Sequence, residues 1–199
     1  MFKDITPLLA DAHAFEAAVE AIAAGFEGRK IDKVLGIEAR GFIFAAPVAY
    51  RFGAGFVPVR KEGKLPWEIE RQQYALEYGT DLLEIHRDAV HPGEQVLVID
   101  DVLATGGTAA ATARLVDRLG GELVGFAFLI ELGFLGGRQL LDGADVMSLV
   151  NYGGAEPSIP ASPGSIPTTP AAPAAPPEAP ATSSAAEITT AAGPITSEV

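Results

Sequence analysis

Two adjacent carboxylates, Asp100 and Asp101, are the residues of this chain best placed for chemistry. They follow the apolar run Val96–Ile99, which predicts a buried strand, and they precede the small-residue loop Ala104–Thr108. An alanine-rich helical pattern comes next, so the loop lies at a helix N-terminus, where backbone N–H groups bind phosphate well. Carboxylates accept hydrogen bonds from hydroxyl groups. The combination therefore suits a phosphorylated sugar.

The loop differs from the commoner phosphate-binding motifs. A P-loop carries a lysine directly before its Ser or Thr, whereas Thr108 follows a glycine. A dinucleotide fingerprint needs three spaced glycines, and Gly106 and Gly107 are only an adjacent pair. The plainer alternative is an ordinary turn between a strand and a helix, capped by threonine. The aspartate pair argues against that alternative, because aspartate is disfavoured in strands.

Helical and strand patterns alternate along the chain on both sides of this loop. Strands are predicted at 33–37, 55–59, 76–84, 96–99, 123–132 and 146–150, and helices at 14–26, 41–51, 108–119 and 136–141. Such alternation is typical of an α/β fold, a mostly parallel twisted sheet with helices on both faces. The aspartate pair is then expected where a buried strand ends, at the ligand crevice of the sheet. The polar segment 63–76 is expected to be a long functional loop.

Positive charge is concentrated in one short segment of this acidic chain. The formal net charge is −12, yet Arg60, Lys61 and Lys64 lie close together, and Arg40 follows another predicted strand. An arginine fork binds two phosphate oxygens at once, so these residues are candidates for a polyphosphate, with a solvated basic loop as the alternative. The acidic balance argues against a nucleic acid partner.

Four motifs in order resemble the adenine phosphoribosyltransferase family of type I phosphoribosyltransferases. The first is the aspartate pair with its loop, which matches the phosphoribosyl-pyrophosphate motif. The others are Glu38–Phe42, Val57–Pro66 and Tyr74–Asp81, and the resemblance runs from about Phe2 to Tyr152. It implies the type I fold with a flexible hood loop over the site. It also implies transfer of the 5-phosphoribosyl group from phosphoribosyl pyrophosphate to adenine, giving AMP and pyrophosphate in purine salvage.

The resemblance also implies roles for individual residues. The 5′-phosphate would be held by Ala104, Thr105, Gly106, Gly107 and Thr108, and the ribose hydroxyls by Asp100 and Asp101. Pyrophosphate would be held by Arg40, Arg60, Lys61, Lys64 and Tyr78, and the base by Phe2, Lys3 and Val102, with Leu103 also facing it. Glu77 would be the catalytic acid/base at the purine, a role that typically contributes about 10²–10⁴-fold. A non-proline cis peptide is expected at Glu38–Ala39.

Mg²⁺ is the implied cofactor, held mainly by substrate and water rather than by protein ligands. His13, His86 and His91 lack metal-ligand spacing. The chain contains no cysteine, which excludes disulfides, zinc–thiolate sites and cysteine nucleophiles. No apolar run reaches the roughly 20 residues of a membrane span, and no secretory signal is visible, so a cytoplasmic location is expected. The resemblance implies a homodimer.

The two ends of the chain depart from the family pattern. Residues 1–154 are expected to form the phosphoribosyltransferase domain, with its N-terminal base-binding segment truncated, because similar proteins continue ahead of Phe2. Residues 155–199 hold ten of the fifteen prolines and no Lys, Arg or aromatic residue. That composition predicts a disordered tail.

Two other functions stay open at this stage. One is a non-catalytic regulator that binds phosphoribosyl pyrophosphate on the same fold, since fold does not fix function. The other is a phosphoribosyltransferase for hypoxanthine or guanine. The presence of Glu77 and the acidic charge favour the enzyme over a regulator that acts on nucleic acid.

Overall fold

A seven-stranded sheet organises the part of the chain that the structure describes. The structure is a computed structural model, and it describes residues 4–75 and 80–153. The expected disordered tail, residues 155–199, lies outside the described residues. Among the described residues, no helix is long and apolar enough to cross a membrane.

The elements follow one another in nearly the predicted order. The strands are β1 (Lys33–Ile37), β2 (Gly55–Lys61), β3 (Ile69–Ala75), β4 (Thr80–His86), β5 (Gln95–Leu103), β6 (Glu122–Leu132) and β7 (Val146–Tyr152). The α-helices are α1 (Thr6–Ala10), α2 (Ala12–Gly25), α3 (Gly41–Phe52) and α4 (Gly107–Arg118). Two short 3₁₀ helices, Gly133–Leu135 and Gly137–Leu141, connect β6 to β7.

The strand order is β3-β4-β2-β1-β5-β6-β7. The five strands β2, β1, β5, β6 and β7 are parallel to one another. Strand β4 runs antiparallel to both of its neighbours, β2 and β3. The chain therefore builds an α/β sheet with an antiparallel hairpin added at one edge. This confirms the fold class expected from the alternating patterns.

Each face of the central strands packs against its own layer of helices. On one face, Val96 and Val98 of β5 contact a core that includes Leu115 of α4. On the other, Leu97 and Ile99 belong to a core built with α2 and α3. Because successive side chains of a strand point to opposite faces, burial on both faces requires the continuous apolar run seen in the sequence.

Two predictions about the elements were wrong. The segment 63–76 is not one long loop, because Ile69–Ala75 forms strand β3 and pairs with β4 along its whole length. Cross-strand pairing with β4 stabilises this polar stretch, which has little apolar alternation of its own. The strand β5 also continues past the aspartate pair to Leu103, because β6 keeps pairing with it as far as Glu131.

The two neighbours of β5 end at different levels, and this opens the sheet. Pairing between β1 and β5 stops at Gly36 and Ile99, whereas pairing between β5 and β6 continues for several residues. β1 ends one residue later, at Ile37, and a three-residue turn leads from it into α3. Asp100 is the first residue of β5 past Ile99, so the sheet itself places it at a crevice.

Phe44 tests the core beneath α3, where its side chain is fully buried. Phe44→Ala is expected to lower the free energy of unfolding by about 3–5 kcal/mol, through lost burial and a residual cavity. Denaturant titration of both proteins measures the change. Phe134→Ala is the matched control, because that ring is 65% exposed. Equal losses in the two variants would contradict the assignment of Phe44 to the core.

Candidate active site

A cavity of about 570 Å³ lies at the opening beside β5. It is bounded by residues from the β1–α3 turn, from β2 and the turn after it, from the β3–β4 hairpin, from β5 and from the start of α4. These residues are Glu38, Ala39, Arg40, Lys61, Lys64, Tyr74, Leu83, Asp100, Asp101 and Thr108. Carboxylates and cations therefore share one cavity, although their segments are far apart in sequence.

The two aspartates differ in their surroundings. Asp101 is buried, and Nε of Arg40 lies 2.5 Å from its Oδ2, as an ion pair without the alignment of a hydrogen bond. The partner of Asp100 is its neighbour in sequence: the backbone N–H of Asp101 donates to Oδ1 of Asp100 at 2.8 Å. A Cβ on Gly41 would lie 3.0 Å from that same Oδ1, so the glycine lets α3 begin against the carboxylate.

Asp100 is the group whose ionisation the fold disfavours. Burial of its carboxyl raises the pKa well above that of an ordinary aspartate, and the neighbouring charge of Asp101 raises it further. The backbone N–H of Asp101 and the charge of Arg40 act in the opposite sense but do not offset burial. A carboxylate in this state gains from any ligand that supplies positive charge or hydroxyl donors.

The loop after β5 leads directly into α4. Gly106 precedes the helix with φ +82, a left-handed conformation that favours glycine, and no side chain caps the helix. The first N–H groups of a helix have no acceptor within the helix, so the start of α4 offers donors to an anion. Thr108 brings a hydroxyl from the same turn to the cavity wall.

The basic residues of the β2 turn are organised by Glu38. Its carboxylate accepts from Nε of Arg60 at 3.2 Å, from the backbone N–H of Lys61 at 3.0 Å and from Nζ of Lys64. Burial opposes ionisation of Glu38, but these donors outweigh it and lower the pKa of the carboxyl. Glu38 thus holds the Arg60 and Lys64 side chains and the Lys61 backbone at the cavity edge.

The β3–β4 hairpin contributes residues for which the sequence motifs predicted no individual role. Tyr74 is buried and donates its hydroxyl to Oδ2 of Asp81 at 3.1 Å, and Nζ of Lys61 lies 3.4 Å from the same oxygen. Burial raises the pKa of Tyr74, which keeps its hydroxyl a donor. Glu84 is fully buried and accepts from the N–H of Gly63 and from Arg71. The pairing of β3 with β4 brings Tyr74 opposite Asp81 and Arg71 opposite Glu84.

Within the described part of the chain, six of the predicted site residues line the cavity: Arg40, Lys61, Lys64, Asp100, Asp101 and Thr108. Arg60 does not line the cavity itself but donates to two residues that do, Glu38 and Lys64. Val102 packs partly buried against the core under α3. Leu103 was expected to face the base, but its side chain is buried in the core near α4. The peptide bond Glu38–Ala39 is cis, as the resemblance implied. The predicted site residues that lie outside the described part of the chain are Phe2, Lys3, Glu77 and Tyr78.

A family model described as the phosphoribosyl transferase domain matches residues 8–144. The chain is 59% identical to the adenine phosphoribosyltransferase of Anaeromyxobacter dehalogenans strain 2CP-1 over 152 residues, which are 76% of this chain and 88% of that protein. It is also similar to the crystal structure of adenine phosphoribosyltransferase from Thermoanaerobacter pseudethanolicus, with 58% identity, a TM-score of 0.74 and coverage of 76% and 88% of the two chains.

A third relative is a structure with ligands. It is the Saccharomyces cerevisiae adenine phosphoribosyltransferase complexed with an imino-altritol bisphosphate and adenine, at 42% identity, a TM-score of 0.70 and coverage of 74% and 86%. The matched regions include the strand, loop and helix around Asp100 and all the described cavity residues. The chain therefore belongs to the phosphoribosyl transferase domain family and, within it, to the adenine phosphoribosyltransferases.

Proposed function

We propose that this chain transfers the 5-phosphoribosyl group from phosphoribosyl pyrophosphate to adenine, forming AMP and pyrophosphate. The observation that carries the proposal is the shared cavity: a carboxylate pair and a helix start on β5 and α4 face basic residues from two other segments. Those are the groups that a sugar with a phosphate at one end and a pyrophosphate at the other requires. The three relatives described above are named adenine phosphoribosyltransferases, and this name supports adenine as the base.

In this proposal the loop Ala104–Thr108 binds the 5′-phosphate with backbone N–H groups and the Thr108 hydroxyl. Asp100 and Asp101 accept from the ribose hydroxyls. As the bond from the anomeric carbon to pyrophosphate lengthens, positive charge develops on the sugar, and the nearby carboxylates stabilise it. N9 of adenine then bonds to that carbon, and pyrophosphate leaves with the electron pair of the broken bond.

Arg40, Arg60, Lys61 and Lys64, with Tyr78, are proposed to hold the leaving pyrophosphate. The described cations among them already have carboxylate partners, so binding is an exchange in which phosphate oxygens replace or join Glu38, Asp81 and Asp101. This pre-pairing keeps the side chains in position before the substrate arrives. Glu77 is proposed to exchange the purine proton, and Phe2, Lys3 and Val102 to contact the base.

Mg²⁺ fits this arrangement as a substrate-borne ion. No group of three or more His, Cys, Asp or Glu side chains suited to a metal occurs within residues 4–75 and 80–153. Asp100 and Asp101 nevertheless supply the carboxylate oxygens that this hard cation prefers. When bound, the ion would neutralise pyrophosphate charge. Its positive charge would also stabilise the ionised carboxylate of Asp100, which the fold otherwise disfavours.

We also propose that the protein acts as a homodimer in the cytoplasm, with residues 1–154 as the catalytic domain. Ile43 of α3 and Phe56 of β2 are each 38% exposed, and the Phe42 ring packs edge-on against Phe56. Exposed apolar side chains of this kind suit a subunit contact. Light scattering of the purified chain tests the proposed dimer.

The direct test is an assay of the purified chain with phosphoribosyl pyrophosphate, Mg²⁺ and one purine at a time. We expect pyrophosphate release with adenine, and far slower release with hypoxanthine or guanine. Release with hypoxanthine or guanine in preference would overturn the base assignment. Binding of phosphoribosyl pyrophosphate without release for any base would support a regulator instead.

Asp100→Asn is expected to weaken phosphoribosyl pyrophosphate binding about tenfold to a hundredfold, because charged hydrogen bonds to the sugar are lost. It should also stabilise the free protein. Since the folded-state pKa of Asp100 is raised, the folded protein binds more protons than the unfolded chain between the two pKa values, and stability falls as pH rises through that interval. The variant escapes this loss.

Thermal unfolding between about pH 4 and about pH 9 measures that effect. The gain in Tm of Asp100→Asn over the parent protein is expected to be largest at the alkaline end and to vanish near the ordinary Asp pKa of about 3.9. Asp88→Asn, at an exposed position, is the control and should change Tm little at any pH. A gain that does not depend on pH would contradict the raised pKa.

Glu77→Gln is expected to lower kcat by about 10²–10⁴-fold while the affinity for phosphoribosyl pyrophosphate stays within about twofold, as the loss of an acid/base group requires. Steady-state kinetics and calorimetry give the two quantities. Glu68→Gln, at an exposed position nearby in sequence, is the matched control and should leave both unchanged. An equal loss of affinity and turnover would instead assign Glu77 a binding role.

A further inference from the structure

The loop before α4 is in close contact with the second 3₁₀ helix, Gly137–Leu141. A Cβ built on Gly106 would overlap the carbonyl oxygen of Gly137, and a Cβ on Gly137 would lie 2.8 Å from the backbone nitrogen of Gly106 and still closer to the carbonyl oxygen of Ala104. Both residues must therefore be glycine for the two backbones to approach this closely. The position of Gly137 thus restricts where the loop can lie.

Gly137 is itself fixed through its neighbour Arg138. The guanidinium of Arg138 forms a fork with Glu131 on β6, at 3.0 Å from Nε to Oε1 and 2.5 Å from Nη2 to Oε2. Nη1 donates to the carbonyl of Val146 at 2.8 Å, and the Ser148 hydroxyl donates to Oε2 of Glu131 at 2.7 Å. Arg138 thereby ties the 3₁₀ helix to both β6 and β7.

This ion pair differs from the surface pairs of the molecule. The Glu131 side chain is only 6% exposed, and the hydrogen bonds from Arg138 lower the pKa of its carboxyl despite burial. The Arg138 side chain is 47% exposed, but its fork on a buried carboxylate, with further hydrogen bonds, has one geometry and can hold a backbone segment in place. Glu131 is also the β6 partner of Leu103, the residue directly before the loop.

We infer that Glu131 and Arg138 are positioning residues for the phosphate loop: their ion pair fixes Gly137, and Gly137 braces Gly106 so that the N–H groups of the loop and of the α4 start converge on the 5′-phosphate. The inference rests on the proposed function, which assigns the 5′-phosphate to Ala104–Thr108. Neither residue lines the cavity, so the pair acts through the loop and not on the substrate.

The test compares two ligands that occupy different parts of the proposed site. Calorimetry with ribose 5-phosphate reports on the loop, and calorimetry with pyrophosphate reports on the basic residues. Arg138→Ala is expected to raise the Kd for ribose 5-phosphate by about tenfold to a hundredfold, the loss typical of a displaced binding group. The Kd for pyrophosphate should stay within about twofold, because its proposed ligands lie on other segments.

Arg138→Lys and Arg29→Ala complete the set. The lysine variant keeps the charge but not the fork, so an intermediate loss for ribose 5-phosphate is expected, and it replaces the alanine variant if that one does not fold. Arg29 is the matched control: it pairs with Asp145 at 2.5 Å and donates to the carbonyl of Val124, near the other end of β6. Its removal should leave both Kd values unchanged.

Three outcomes separate the possibilities. A parent protein that binds neither ligand and releases no pyrophosphate overturns the proposed function and the inference with it. A parent protein that binds both ligands, with an unchanged Kd for ribose 5-phosphate in the folded Arg138 variants, overturns the inference alone. Equal weakening of both ligands in those variants also overturns it, since the pair would then have only a general structural role.

Discussion

The structure depends on strand β5 and on the unequal reach of its two neighbours. Both faces of the strand are buried along Val96–Ile99, and both edges are paired as far as Ile99. Beyond that residue β1 no longer pairs with β5 while β6 continues to do so, and one edge of β5 therefore opens at Asp100. In a parallel sheet such an opening lies at the carboxyl ends of the strands, where helix starts and connecting turns also converge. The cavity that carries the proposed function lies at this opening.

Electrostatics shape the cavity as much as topology does. The chain has a net charge of −12, yet it concentrates cations around the cavity, and carboxylates hold these cations in place. Asp100 differs from these paired groups, because burial beside a second carboxylate raises its pKa and lowers the stability of the folded protein. A site whose buried charge lowers the stability of the folded protein is a common form of the trade-off between stability and function.

Close backbone packing is the third feature of the site. Gly41 lets α3 start against Asp100, and Gly106 and Gly137 let the phosphate loop rest on the 3₁₀ helix. Contacts of this kind tolerate no added methylene, because neither backbone can shift without moving an element of the sheet. The family relationship across residues 8–144 and the geometry thus converge on the same segment of chain.

Local patterns in the sequence determined the strand–loop–helix unit around Asp100, the parallel sheet and the identity of the basic loop. Each depends on neighbours within a few residues, which periodicity and residue type report directly. The tertiary structure alone decided that Ile69–Ala75 is a strand, that Glu38 gathers Arg60 and Lys64, and that Gly106 touches Gly137. The stabilisation of each feature comes from a partner segment, whether the next strand of the hairpin or a distant part of the chain, and no pattern within the segment itself contains that partner.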